Sequence, residues 1–208
     1  MRATSWCVTA VAVAGLVGAG RAQGQAPAGP GGFVLARYAT RSALAVYAGY
    51  PAGPVLAIVA IIQNPRTQYR EEVLAVGEPL LSSATGELTG VLAAASTSDG
   101  WFTQAYLLPS WRSGRFSVTG TFEYYEPLQR AGVRELDVAP ATALVAVSSR
   151  LGIGASWVAS MPEGRAGSHA AGPALRVVIP RGTLTLDLLR GLANAPSELR
   201  LTVQWLWR

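Results

Sequence analysis

The chain has 208 residues, of which 50% are hydrophobic and only 14% are charged, with a formal net charge of +5. Soluble domains carry about 25% charged residues, and a membrane helix needs about 20 consecutive apolar residues that no segment of this chain supplies. The composition therefore excludes a helical membrane protein and suits one β-barrel domain, whose apolar residues are dispersed at alternate positions.

All 17 basic residues are arginine. A basic chain suggests nucleic acid as a binding partner, but such binding needs a basic patch or stripe. Here the arginines are scattered singly, and the N-terminus carries an export signal. We therefore predict no nucleic-acid partner.

Residues 1–22 have the pattern of a secretory signal peptide. Arg2 supplies the positive start, residues 6–17 are apolar, and Gly20 and Ala22 are small residues around a cleavage point after Ala22. The only cysteine, Cys7, lies inside this segment. Cleavage would leave a chain without disulfides, thiolate nucleophiles or cysteine metal ligands. Residues 23–32, rich in Gly, Pro, Ala and Gln, are a flexible lead-in, and residues 33–208 form the single barrel domain.

Alternating patterns and turn signals predict about eleven strand segments. They cover residues 33–50, 55–63, 68–81, 87–96, 101–111, 115–125, 136–148, 151–160, 175–179, 183–188 and 199–208. Bacterial barrels have an even number of strands. Splitting 33–50 near residues 39–42 makes twelve, and merging an ambiguous pair makes ten. Twelve is preferred, because the short turns near Trp111, Arg150 and Arg181 then share one end of an antiparallel up-and-down transmembrane β-barrel.

Aromatic residues gather at strand ends. Trp101 and Trp111 share a face of one strand, about 33 Å apart at roughly 3.3 Å per residue. A strand tilt near 40° reduces this to about 25 Å, the height of the apolar band of a membrane barrel. We predict that these aromatics mark the membrane interface: Trp101, Trp111, Tyr124, Trp205 and Trp207.

The last segment has one apolar face and one mostly polar face. Leu199, Leu201, Val203, Trp205 and Trp207 alternate with Arg200, Thr202, Gln204, Leu206 and Arg208. This pattern resembles the closing strand of small Gram-negative outer-membrane β-barrel proteins, which usually ends on an aromatic residue; here Arg208 follows the last one. The resemblance implies an outer-membrane location, membrane lipid as a partner, and contact with the outer-membrane assembly machinery.

Five charged residues take the polar faces of the best-patterned segments: Arg115, Glu123, Arg176, Asp187 and Arg200. Isolated charges inside a barrel are expensive, so we expect them to form a paired network facing the lumen. Two interpretations remain open at this point. The residues either satisfy one another and set the strand register, or line a polar pore with a weak anion preference that follows from the arginine excess.

His169, with Ser168 and Glu163 nearby, raises an outer-membrane lipid hydrolase as a remote alternative. Neighbouring residues in a strand face opposite sides, so we predict no catalytic residue here. One histidine and no mature cysteine provide neither a metal site nor a cofactor site.

The predicted role is a structural barrel or a narrow passive pore. The alternative is a periplasmic or secreted soluble β-barrel or sandwich that binds an apolar ligand. The sequence does not indicate an oligomeric state.

Overall fold

A computed structural model describes residues 31–41, 43–130 and 132–207. The predicted signal peptide, and the lead-in up to residue 30, lie outside these ranges. Twelve β-strands follow one another in the described part of the chain. They are β1 (Gly32–Ala39), β2 (Leu44–Ala52), β3 (Val55–Asn64), β4 (Tyr69–Ser82), β5 (Gly86–Thr97), β6 (Gly100–Ser113), β7 (Phe116–Pro127), β8 (Glu135–Ala146), β9 (Leu151–Pro162), β10 (Ser168–Ile179), β11 (Gly182–Ala193) and β12 (Glu198–Trp207).

The strands form one closed antiparallel barrel in which each pairs with its neighbours in sequence. The ring closes between β1 and β12, where Gly32 lies opposite Trp207 and Ala39 lies opposite Arg200. Closure matters because an open edge in lipid leaves backbone groups without hydrogen bonds. The structure confirms the antiparallel up-and-down barrel and the preferred count of twelve, including the break between β1 and β2.

The connections divide between two ends of the barrel. The end that holds Gly32 and Trp207, here called the terminal end, carries the connections at residues 53–54, 83–85, 114–115, 147–150 and 180–181. The opposite end, here called the loop end, carries the connections at residues 40–43, 65–68, 98–99, 128–134, 163–167 and 194–197. The turns near Trp111, Arg150 and Arg181 therefore share the terminal end, as the sequence indicated.

The apolar residues of the alternating strands face outward. Leu201 and Val203 are each 36% exposed and Trp205 is 42% exposed. A soluble carrier would hide such residues in a cavity or between two sheets. Their exposure contradicts the apolar-ligand alternative. Across residues 31–41, 43–130 and 132–207, no helix is long and apolar enough to span a membrane.

One arc of the inner face is also apolar. Ala60, Val73 and Ala95 are buried together on β3, β4 and β5. Partly buried side chains pack against them, including Tyr47 and Phe102. Side chains therefore fill part of the interior, and the polar residues are concentrated on the remaining arcs.

Candidate functional site

The inner face carries most of the acidic residues of the chain but few of its arginines. Strand register assigns the faces, because directly opposite residues in an antiparallel pair point the same way. Seven carboxylates share the face of Arg200 and Thr202: Glu71, Glu87, Glu123, Glu135, Asp137, Asp187 and Glu198. Four arginines share it: Arg37, Arg112, Arg176 and Arg200. The other described arginines lie in connections or on the outer face.

Most of these charges are separated around the ring. Arg37, Arg176 and Arg200 lie on β1, β10 and β12, here called the basic wall. Glu71, Glu123, Glu135 and Asp137 lie on β4, β7 and β8, here called the acidic wall. Both Arg37 and Arg200 interact electrostatically with Glu123. The two walls thus face each other across the barrel interior.

Glu71 is the best-connected carboxylate of the acidic wall. It is only 3% exposed, and it accepts hydrogen bonds from Gln104 Nε2 at 2.5 Å and from the Tyr69 hydroxyl at 2.9 Å. The Tyr106 hydroxyl donates in turn to Gln104 Oε1. Hydrogen bonds of this kind hold a buried carboxylate in one orientation. Its position in the lumen is therefore well defined.

The rest of the acidic wall lies on β7 and β8. Glu123 accepts a hydrogen bond of 2.5 Å from the Tyr125 hydroxyl, and it lies opposite Asp137 across the β7–β8 pairing. Asp137 Oδ1 on this wall, and Arg37 Nε on the opposite wall, are buried without a hydrogen-bond partner among the described residues. Buried polar atoms are usually paired with protein or water, so these two atoms are candidate positions for bound water.

The basic wall includes its own acidic residues. Asp187 accepts a hydrogen bond of 2.6 Å from Ser156 Oγ, and Ser156 Oγ also lies 2.7 Å from Thr142 Oγ1. Ser156 and Asp187 lie on β9 and β11, so this bond crosses β10. It is possible because β10 presents only Gly172 opposite Ser156 and Ala174 opposite Asp187. Small residues on β10 thus let two non-adjacent strands join.

Two arginines of this wall have close partners. Arg200 forms an ion pair with Glu198 on the same strand. Arg176 Nε donates to Thr185 Oγ1 at 3.3 Å, and the guanidinium interacts electrostatically with Asp187. Within this wall, Glu198 and Asp187 therefore offset much of the positive charge of Arg200 and Arg176.

The five residues predicted for the lumen lie at different places in the barrel. Arg176, Asp187 and Arg200 lie together on the basic wall, and Glu123 lies on the acidic wall. Arg115 lies instead in the exposed turn before β7, where Gly114 has a φ of 55°. The strand begins one residue later than the alternating pattern suggested, because the turn takes up residues 114 and 115. The structure thus brings together three of the five.

Sequence reasoning missed Glu71, Gln104 and Tyr106. The run Arg70-Glu71-Glu72 places charges on both faces of β4 near its first residue, and only the middle residue points inward. Arg70 and Glu72 form an ion pair on the outer face. Gln104 and Tyr106 alternate with Ala105 and Leu107 on β6. That alternation of polar and apolar residues is a signal that identifies both side chains as lumen-facing.

The predicted interface aromatics lie near the ends of the barrel. Trp101 and Tyr124 are exposed toward the loop end. Trp111, Trp205 and Trp207 lie toward the terminal end. Trp101 is 59% exposed and Trp111 is 47% exposed on the outer face of β6. Two outer rings of aromatics at the interfaces remain a prediction that fits these positions.

His169 and Ser168 lie on opposite faces of β10. His169 lies opposite Ala159, whereas its neighbour Ser168 lies opposite Ser160 on the inner face. Glu163 lies in the connection before β10, where its carboxylate is 3.8 Å from Arg134. The strand geometry therefore separates the hydroxyl of Ser168 from the imidazole of His169.

Comparison with solved structures identifies the architecture. The chain is similar to the KdgM porin in complex with disordered oligogalacturonate, with a TM-score of 0.59, 9% identity, and coverage of 83% of this chain and 98% of that one. It is also similar to the NanC porin, with a TM-score of 0.52, 10% identity, and coverage of 85% and 99%. At 9% and 10% identity, the likeness to these two structures concerns the fold. No protein-family model and no curated protein sequence matches the chain.

Proposed function

We propose that this chain forms a narrow passive pore for small solutes in the outer membrane of a bacterium. The observation that supports this is a closed twelve-strand wall with exposed leucine, valine and tryptophan outside and charged residues inside. Apolar side chains are stable against lipid, and enclosed charges are stable only when paired or hydrated. The neighbouring structures named as porins add support, because they share this architecture.

The pore is narrow for two reasons. A barrel of about eight strands is filled by side chains, and one of about sixteen leaves a wide aqueous channel. Twelve strands lie between these limits. Tyr47, Tyr106 and Tyr125 also project from the inner face toward the space between the two walls. We therefore expect ions and small polar molecules to pass, and larger solutes to be excluded.

The pore prefers cations. The arginine excess predicted a weak anion preference instead, but most described arginines lie outside the lumen, whereas most carboxylates line it. Counter-ions follow the charge of the surface that they pass. The uneven placement of the charges therefore determines selectivity, and the positive charge of the whole chain does not.

The proposal includes no enzymatic role. Acyl transfer needs a nucleophile within hydrogen-bond reach of a base. Ser168 and His169 face opposite sides of β10. We expect the purified protein to show no lipid hydrolysis. If any hydrolysis is measured, it should be unchanged in the His169→Ala variant.

The test is conductance in a planar bilayer. The purified barrel should conduct, and a KCl gradient should give a reversal potential of the sign that favours K⁺. Glu71→Gln and Glu123→Gln together should reduce this preference. Glu72→Gln is the matched control, because Glu72 follows Glu71 directly but points to the outer face. Absence of conductance from a folded barrel would overturn the pore, leaving a structural role. Conductance with an anion preference would overturn the selectivity alone.

A further inference from the structure

The barrel rim has a notch above its two shortest neighbouring strands. β1 and β2 have 8 and 9 residues, whereas β4 and β6 have 14 each. A cleft of about 610 Å³ lies at the loop end, bordered by the β1–β2 connection, the β3–β4 connection, and strands β11 and β12. The short β1–β2 hairpin lowers the rim here, which leaves this space open.

Three arginines from separate elements line the cleft. Arg41 belongs to the β1–β2 connection, Arg66 to the β3–β4 connection, and Arg190 to β11. All three are exposed, and their guanidinium groups form no hydrogen bond or ion pair with residues that the structure describes. Three guanidinium groups that line one cleft give it a positive potential. The cleft therefore favours a ligand of negative charge.

Hydrogen bonds hold the walls of the cleft in place. The Thr40 backbone N–H donates to the Leu199 carbonyl at 3.0 Å, and the Leu199 N–H donates to Thr40 Oγ1 at 3.1 Å. Glu198 also lines the cleft, but its carboxylate is almost fully buried and pairs with Arg200. Glu198, the acidic residue among the described lining residues, therefore leaves the charge of the three arginines largely uncompensated.

The lower part of the cleft is apolar and faces outward. Leu188 and Leu199 lie opposite each other across the β11–β12 pairing. Leu188 is 53% exposed on the side of the barrel that would contact lipid. Arginines above exposed leucines match a molecule with a phosphate at one end and an acyl chain at the other. A free phosphate would contact the arginines but not the leucines.

We propose that this cleft binds the phosphate of an anionic membrane lipid, whose acyl chain lies along Leu188 and Leu199. The site depends on the proposed membrane location but is independent of conductance. It fixes one lipid beside the β1–β12 closure. Arginine is suited to this role because its planar guanidinium donates two parallel hydrogen bonds to a phosphate group.

The experiment measures lipid bound to the detergent-purified full barrel by native mass spectrometry, with phosphatidic acid, phosphatidylcholine and inorganic phosphate as probes. The triple variant R41Q/R66Q/R190Q is compared with R130Q/R165Q, which removes arginines from other connections at the same end. Phosphatidic acid should bind the parent barrel, and the triple variant should bind about tenfold or more weakly. The control pair should bind like the parent.

Several outcomes would overturn the site. Equal binding of phosphatidylcholine would remove the role of charge, and full competition by inorganic phosphate would leave an anion site without lipid specificity. Equal loss in the control pair would indicate general surface charge. Heat-shifted gel migration shows that each variant is folded. Retained conductance in the triple variant separates this site from the pore itself.

Discussion

Asp187 lies directly opposite Arg200 across the β11–β12 pairing, yet each makes its closest contact elsewhere. The Asp187 carboxylate accepts its hydrogen bond from Ser156, two strands away, and Arg200 pairs with Glu198. Adjacent opposite charges therefore do not combine into a single neutral pair. Each instead belongs to its own polar cluster on the inner face.

The Ser156–Asp187 bond should contribute to stability. Asp187→Ala leaves the buried Ser156 hydroxyl without this acceptor, so we expect a loss of about 1–3 kcal/mol in the free energy of unfolding. Urea unfolding in detergent micelles measures it. Thr183→Ala, on the inner face of the same strand, is the control and should change stability far less. Equal losses in both variants would contradict a specific role for the bond.

Gly172 should not tolerate a side chain. A Cβ at this position would overlap the carbonyl oxygen of Leu188 on the neighbouring strand. We expect Gly172→Ala to cost about 1–3 kcal/mol, because β10 and β11 would have to separate locally. The midpoint of urea unfolding is the measurement, and Ala171→Val on the outer face of the same strand is the comparison. An unchanged midpoint for Gly172→Ala would mean that β10 can move freely.

The outer face should reject charge. Val203 lies near the middle of β12 and points outward. Val203→Arg is expected to destabilise the barrel in lipid by about 2–4 kcal/mol, since a guanidinium near the bilayer centre loses its hydration. Gln204→Arg places the same group on the inner face and should retain stability while lowering the cation preference. Comparable unfolding energies for the two variants in liposomes would be incompatible with the assigned faces.

Closure should depend on β12. Removing residues 198–208 exposes the edges of β1 and β11, each of which then carries backbone groups without partners in lipid. We expect the heat-shifted band on a gel to disappear. Removing residues 23–30, which precede β1, is the comparison and should preserve the band. A heat-shifted band from the truncated chain would show that the barrel closes by another pairing.

Much of the fold was predictable because a barrel strand has a simple code. Alternation in β7 and β12 identified both the strands and their outward faces, and the turn near residues 39–42 produced the twelfth strand. Strand ends were less predictable. Arg115 lies in the turn rather than in the strand, because Gly114 adopts the left-handed conformation that this turn requires.

The sequence by itself determined the strand content: period-two patterning, short turns and dispersed apolar residues favour an antiparallel barrel, and the exposed apolar face of the structure distinguishes the membrane form from a soluble one. Only the tertiary structure decided which charges share the lumen. Arg37 and Glu123 are far apart in the chain, and they face each other because β1 pairs with β12 and the ring closes. Alternation specifies which side of a strand a residue occupies, whereas its position around the ring and its height depend on the register of every intervening pair.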